Sequence, residues 1–393
     1  MQYRRFGRTE LAMPVFSCGG MRYQYSWKDA EQPQITQASQ DNIEKVIHRA
    51  LEVGINHIET ARAYGTSEFQ LGKILPKFPR DNLIIQTKVE PQSDSAKFRQ
   101  LFDQSLENLQ LDYVDLLGIH GINTPELLHD CVKPGGCLEV ARQLQAAGKV
   151  RFIGFSTHGT TDLIMQAIAT NQFDYVNLHW YYFYQNNWPA VLEAIKHDMG
   201  VFIISPSDKG GKLYELSPKL LELCRPFSPM VFNNLFCLQH PQIHTLSIGA
   251  NKPTDFDEHL KTLDALEVAE EFLPLIIGRL ENELVNTLGA DWVNSWSAGL
   301  PDWENVPGEI NIATILWLHN LAIAYDMIEY GKMRYNLLGN ASHWFPGKNA
   351  AKLADYNLSE CLANSPNAQK IPEILAKTHQ LLGSSSVKRL SQT

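Results

Sequence analysis

The first two thirds of the chain alternate between two hydrophobic periods. Short apolar runs of strand length recur at Val15–Cys18, His57–Glu59, Leu83–Thr87, Val114–Ile119, Phe152–Phe155, Tyr175–His179, Val201–Ser205 and Thr245–Ile248. Between them lie stretches with helical spacing. Ile43, Val46, Ile47 and Leu51 form one stripe, ending at Gly54. Phe98 to Leu109 repeats it with Leu101, Phe102, Leu106 and Leu109, and Val140 to Ala147, closed by Gly148, repeats it again. Strands that read as continuous apolar runs are buried on both faces, and alternation with helices makes their sheet parallel. Eight such units predict an α/β fold, the (β/α)8 TIM barrel. An open doubly wound sheet is the runner-up. It normally carries a G-x-G-x-x-G turn after its first strand, and the chain has no such motif. Tyr3–Leu11 precedes the first unit and predicts a small hairpin closing the barrel bottom.

After about residue 265 the strand-like runs stop. Helical stretches at Leu263–Leu288 (with a break expected at Pro274), Ile310–Tyr330, Ala350–Cys361 and Pro372–Leu382 alternate with loops rich in Gly, Pro, Asn and Trp. The division predicted is a barrel over 1–265 and a mostly helical domain over 266–393. Ser384 onward is polar and reads as a frayed end.

Composition narrows the function. The 393 residues are 44% hydrophobic and 20% charged, an ordinary globular balance, and a net charge of −9 offers no electrostatic footprint for nucleic acid or an anionic membrane. The most apolar long stretch, Ile310–Ile328, is interrupted by Asn311, His319, Asn320 and Asp326, and reads as a buried helix. Six scattered cysteines form no C-x-x-C pair, so neither a disulfide framework nor a ready metal site is expected. The N-terminus lacks an apolar signal core, which makes Asn340-Ala-Ser and Asn357-Leu-Ser chance matches to a glycosylation pattern and a cytoplasmic enzyme the expectation.

In such barrels the functional residues sit at the C-terminal ends of the strands. The second, third and fourth predicted strands end at Glu59, Lys88 and His120, and Tyr64 follows in the loop after Glu59. A phenol is a weak acid, an ammonium beside it favours phenolate, a carboxylate holds that amine, and an imidazole can polarise a carbonyl oxygen. Together they suit protonation of an oxyanion as hydride arrives at carbon.

These residues stand in motifs. Gly54-Ile-Asn-His-Ile-Glu-Thr-Ala-Arg-Ala-Tyr-Gly65, Asp112-Tyr-Val-Asp-Leu-Leu-Gly-Ile-His120, Gly148-Lys-Val-Arg-Phe-Ile-Gly-Phe-Ser156 and Ile248-Gly-Ala250 follow one another in order. With them, residues 1–265 resemble an aldo-keto reductase. The resemblance implies Tyr64 as proton donor, Lys88 as the group lowering its pKa and His120 as carbonyl orienter. Glu59 stands where the family usually has Asp, one methylene (about 1.5 Å) longer. The resemblance also implies a nicotinamide cofactor, NADPH before NADH, held at Gly20 and Met21, Ser156, Asn177, Ser205 and Pro206, the Lys209-Gly210-Gly-Lys212 loop, and Gly249, Ala250, Asn251 and Lys252. Many members have Arg at Asn251 and Asn at His259. The aromatic run His179–Tyr184, with Tyr23, Tyr25, Trp27 and Trp188, suits a flat or apolar carbonyl substrate if it faces the mouth and a packing surface if it does not.

The second domain resembles the tail of an aldo-keto reductase subgroup carrying a ferredoxin-like domain. The spacing C-x2-C-x2-C-x3-C-P, laid on Cys361, meets Asn364, Asn367, Ile371 and Pro372; anchored on Val306-Pro307 it meets Trp296, Gly299 and Asp302. Three of four ligands are missing in one run and all four in the other, so no iron–sulfur cluster is expected; the alternative is a fortuitous match on a plain helical cap. The main expectation is an NADP-dependent carbonyl reductase acting on a small molecule, with no nucleic-acid or membrane partner. The competing one is a nucleotide sensor on the same barrel, and an iron-based electron carrier is the remotest.

Overall fold

A computed structural model describes residues 1–28, 33–215 and 217–384. The part of the expected frayed end beyond residue 384 lies outside them. Ten strands are present among the described residues: β1 (Tyr3–Arg5), β2 (Ala12–Pro14), β3 (Phe16–Gly19), β4 (His57–Glu59), β5 (Ile84–Val89), β6 (Val114–His120), β7 (Val150–Ser156), β8 (Tyr175–Leu178), β9 (Gly200–Ile203) and β10 (Thr245–Ile248). β3 to β10 pair in parallel, in chain order, and β10 returns to β3 to close an eight-stranded barrel. Each of the eight barrel strands coincides with a predicted apolar run, shifted by two residues at most at either end, while the hairpin expected over Tyr3–Leu11 extends to Pro14.

The helices follow the predicted stripes. Thr36 caps Gln37–Glu52 by accepting a hydrogen bond from the Ser39 amide, and Ile43, Val46, Ile47 and Ala50 are buried. Gly54 then takes φ +84°, where a side chain is disfavoured. Asp94 caps Ser95–Leu109 in the same manner.

The N-terminal hairpin pairs β1 with β2 and plugs the lower end of the barrel. Phe6, Leu11 and Met13 pack there with Ile84, Leu116, Tyr175 and Phe202. Gly200 makes room for the plug, since a Cβ on it would lie 2.6 Å from the Phe6 ring.

The chain divides into two compact units, one of residues 1–210 with 233–267 and one of residues 211–232 with 268–393. The second is therefore not a simple C-terminal tail, because the segment after β9 joins it. It is helical, with Pro218–Leu223, Ala269–Leu288, Ala290–Ser295, Ile312–Tyr325, Ile328–Tyr335 and Ile371–Leu382.

Two expectations change here. The break expected at Pro274 falls earlier, in a 3-10 turn at Leu266–Val268, and Ala269–Leu288 runs through the proline. An interior proline costs about 3 kcal/mol, and the buried stripe of Leu273, Ile276 and Leu280 on both sides of Pro274 offsets it. The predicted Ala350–Cys361 helix is a 3-10 segment, Ala350–Asp355, followed by turns. Ile312–Tyr325 is buried around most of its circumference, as its sequence implies. No helix among the described residues is long and apolar enough to cross a membrane.

Candidate active site

Side chains alternate along a strand, and laterally paired residues share a face. Glu59 pairs with Gln86, Lys88 with Gly118, and His120 with Ser156, which pairs with Asn177. Gln86 and Lys88 lie two residues apart, as do Gly118 and His120. All of these positions therefore face inward at the C-terminal half of the barrel.

Lys88 and Glu59 are almost fully buried, at 1% and 3% exposure. The Lys88 ammonium is ion-paired with Glu59 Oε2 and donates to the Thr60 carbonyl at 2.6 Å. Gly118 clears the path, since a Cβ there would stand 3.0 Å from Lys88 Cγ. Tyr64 comes from the turn after β4, held by its own amide bonding Ala61 O and its carbonyl accepting from the Ser67 amide. Its ring meets His120 edge-on at 5.7 Å and Trp27 at 6.1 Å, with Lys88 Nζ 4.8 Å from its centroid. The acid, amine, imidazole and phenol thus come together.

Their electrostatics differ from the expectation for Lys88. Desolvation first, and the negative charge of Glu59 second, push the Tyr64 phenol well above its usual value. The ammonium lies over the ring and its charge is committed to Glu59, so it does not offset either effect. The phenol is held protonated.

Sequence reasoning missed Ser247. Its hydroxyl donates to Glu59 Oε1 at 3.2 Å, giving the longer carboxylate a second partner. It was legible by parity, because Thr245 and Ser247 are the polar pair of an otherwise apolar strand. Below lies a second polar layer. Ser17 Oγ bonds His57 Nδ1 at 2.6 Å and Thr245 Oγ1 at 2.7 Å. Burial, then the nearby Lys88 charge, pushes His57 down to about 3.

Apart from Gly211 and Lys212, the residues expected to hold a cofactor lie at the upper strand ends of the first unit. Gly20 and Met21 follow β3, Ser156 ends β7, Asn177 lies in β8, Ser205 to Gly210 follow β9, and Gly249 to Lys252 follow β10. Asn177 is fully buried, and neither its amide oxygen nor its nitrogen has a hydrogen-bond partner. Ser156 Oγ accepts from the Gly121 amide at 3.1 Å.

Other expectations for these loops change. The Lys209 and Gly210 amides both donate to Ser205 O, at 3.0 and 3.3 Å, so they are not offered to a phosphate. Ser205 takes φ +53° in this turn, and only glycine fits at 210, where a Cβ would lie 2.0 Å from Pro206 O. What remains is the Lys209 ammonium, 3.0 Å from His158 Nε2. Lys212 belongs to the second unit and pairs with Glu215. Asn251 and Lys252 give their amides to Asp255 Oδ2, at 2.8 and 3.2 Å. His259 is buried, bonded to Asn234, and pushed down to about 4 by desolvation. Arg22 and Asp208 form an ion pair of 2.8 Å joining the loops after β3 and β9.

The aromatic run mostly packs. Trp180 stacks on Phe236 and meets Trp188 and His240, all within the first unit, and Tyr181 bonds Ile204 O at 2.9 Å. Trp27, one of the aromatics singled out, contacts Tyr64.

The parallel barrel thus gathers an acid, an amine, an imidazole and a phenol at its upper rim. Residues 17–210, most of the barrel, match the model of the aldo/keto reductase family. It is 34% identical over 150 residues to a methylglyoxal reductase of Salmonella typhimurium, covering 37% of this chain and 52% of that protein. It is 32% identical over 190 residues to a 6-dehydroglucose reductase of Novosphingobium aromaticivorans, covering 44% and 55%. The chain thus spans about half the length of these curated relatives. A solved aldo-keto reductase of Klebsiella pneumoniae in complex with NADPH shares the fold, with a TM-score of 0.56 at 20% identity over 70% of this chain and 93% of that one.

Proposed function

We propose that the protein is an NADP-dependent oxidoreductase that reduces an aldehyde or ketone of a small molecule. The observation that carries this reading is the buried Lys88–Glu59 pair with the Tyr64 and His120 rings above it, at the mouth of a barrel that matches this family. The curated relatives named above are reductases of carbonyl compounds, which supports the substrate class.

A bound nicotinamide cofactor supplies the hydride. Asn177, with an unsatisfied donor and acceptor in one buried amide, fits a carboxamide of the same donor–acceptor pattern. Ser156, Gly20, Met21, Ser205 and Pro206 would line the same seat. The Lys209 ammonium is the charge offered to a phosphate, and Gly249 to Lys252 would meet the nucleotide end. NADPH over NADH rests on the NADPH named with the Klebsiella neighbour. Loss of the Arg at Asn251 leaves Lys252 to meet a 2′-phosphate.

Tyr64 donates its proton to the carbonyl oxygen as hydride reaches the carbon. Its phenol is protonated at neutral pH, as a donor requires. His120 orients the same oxygen. The Lys88 ammonium lies 4.8 Å from the centroid of the Tyr64 ring, and its ion pair with Glu59 fixes its position. The geometry supports reach by a carbonyl compound beside Trp27, whose ring suits a flat or apolar substituent.

The second unit we read as a ferredoxin-like fold that no longer holds clusters. Its two run segments lie side by side. A Cβ on Gly299 would stand 2.1 Å from Asn364 O, and Asn367 Nδ2 donates to Ser295 O at 3.1 Å. Ligand positions of both runs are therefore neighbours, as paired cluster runs require. Of the eight positions only Cys361 is a cysteine, and its thiol donates to Leu358 O at 3.3 Å.

The test is NADPH and NADH oxidation with a panel of aromatic and aliphatic carbonyls, beside a cofactor titration. Turnover with NADPH supports the reductase. Tight cofactor binding without turnover on any carbonyl overturns it in favour of a nucleotide sensor.

A further inference from the structure

We propose that Ser247 is the positioning residue that makes Glu59 work in place of a shorter acid. The inference rests on the reductase reading of the same site. A glutamate carries one more rotatable bond than an aspartate, so a single ion pair with Lys88 leaves its carboxylate free to swing about the remaining torsion. Two features of the end of the barrel remove that freedom. Ser247 Oγ donates to Oε1 at 3.2 Å while Lys88 takes Oε2, so each oxygen has its own partner. Gly19, paired laterally with Glu59, supplies the space. A Cβ on Gly19 would lie 2.6 Å from Ser247 Oγ and 3.1 Å from Glu59 Oε1.

The seat is therefore built from the strand beside the acid's own and the next strand round the barrel. β3 leaves a hole and β10 puts a hydroxyl across it. Ser247, Glu59 and Lys88 are all buried, so water does not replace a missing partner readily. The carboxylate held in this way fixes the ammonium beneath the Tyr64 ring, and errors near 1 Å at such a centre cost up to about a hundredfold in rate.

The seat predicts that shortening the acid is not a repair. Glu59→Asp withdraws the carboxylate by about 1.5 Å from Ser247 and Lys88 together. It lowers kcat by about 10- to 100-fold while leaving the cofactor Kd unchanged. Ser247→Ala lowers kcat by about tenfold at unchanged KM for cofactor, and Ser247→Thr, which keeps the hydroxyl, recovers most of the loss. In the Glu59→Asp background Ser247→Ala adds little, because the hydroxyl no longer reaches the shorter acid.

A second readout separates this from the reductase reading. In protein labelled with 13C at glutamate Cδ, the Glu59 carboxylate resonance, assigned by its loss in Glu59→Asp, shifts in Ser247→Ala and returns in Ser247→Thr. If the wild type turns over no carbonyl, the reductase reading fails and the resonance alone decides the role of Ser247. An unmoved resonance in Ser247→Ala, or an additive loss of kcat in the double variant, overturns the proposal.

Discussion

On the proposed reading, the barrel mouth and the twin-run region of the second unit depart from a pattern in opposite ways. At the mouth one acid is replaced by a longer one, and every partner it needs is present: Lys88 on one oxygen, Ser247 on the other, and an open Gly19 beside them. In the second unit, if it is ferredoxin-like as proposed, seven of the eight positions where thiolates would stand carry other residues, and those positions make ordinary polar and apolar contacts. Asn367 bonds Ser295, Gly299 abuts a carbonyl, and Ile371 is buried in a helix stripe with Leu375 and Leu382. A site under chemical constraint changes one residue and compensates it. A site released from that constraint would keep its fold and lose its ligands, which is what the proposed reading of the second unit expects.

The largest expected effect tests the first half of that contrast. Tyr64→Phe removes the proton donor and keeps the ring against His120 and Trp27. We expect kcat to fall about a thousandfold, within the range for general acid catalysis, with the NADPH Kd little changed by fluorescence titration. A variant with full activity would remove Tyr64 from the mechanism. Lys88→Met comes next. It strands a buried Glu59 carboxylate and should cost about 3–5 kcal/mol in denaturant unfolding as well as activity. Adding Glu59→Gln to it should restore part of that stability, and no recovery would mean the pair is not the source of the loss.

Most of this was legible in the sequence for physical reasons. The eight runs such as Val114–Ile119 sit in a sheet covered on both faces, so burial wrote them as uninterrupted apolar text. Glu59, Lys88 and His120 stood out because charge and imidazole at the end of such a run have no packing explanation. What stayed hidden depends on contacts distant along the chain. Ser247 meets Glu59 across 188 positions. The Ser205 turn uses up the Lys209 and Gly210 amides, and nothing in a Lys-Gly-Gly-Lys string says where its amides point. Pro274 misled because local propensity was overridden by a buried stripe. The aromatic run misled because Trp180 packs against Phe236, some 56 positions away.

Acid should expose a further difference between the two regions. His57, His244 and His259 are buried in the barrel and pushed down to about 3, 4 and 4, in each case first by desolvation. Their unfolded value is near 6.5, so between about pH 6.5 and 4 the unfolded chain binds protons that the folded barrel refuses. Barrel stability is therefore full above pH 6.5 and falls as pH drops, by about 2 kcal/mol per histidine at pH 5. In the second unit only His319 and His343 are displaced downward, and both are less deeply buried. Segment-resolved hydrogen exchange at pH 7 and pH 5 should show protection lost from β4, β9 and β10 before Ile312–Tyr325. Equal loss in both regions would deny the histidines this role.

The smallest effect bears on the second half of the contrast. If Asn367 stands where a ligand once stood, its present work is structural: its amide donates to Ser295 O at 3.1 Å and Oγ at 3.0 Å, and it is nearly buried. Asn367→Ala should then cost about 1–2 kcal/mol in the unfolding of the second unit, the usual penalty for stranding buried acceptors. Asn367→Cys should cost about as much, since a thiol is a weak donor and does not span the same two acceptors. Neither variant should alter kcat at a barrel whose acid, amine, imidazole and phenol are untouched. A change in kcat without a change in stability would show that the run segments still serve the chemistry, and the region would no longer count as released.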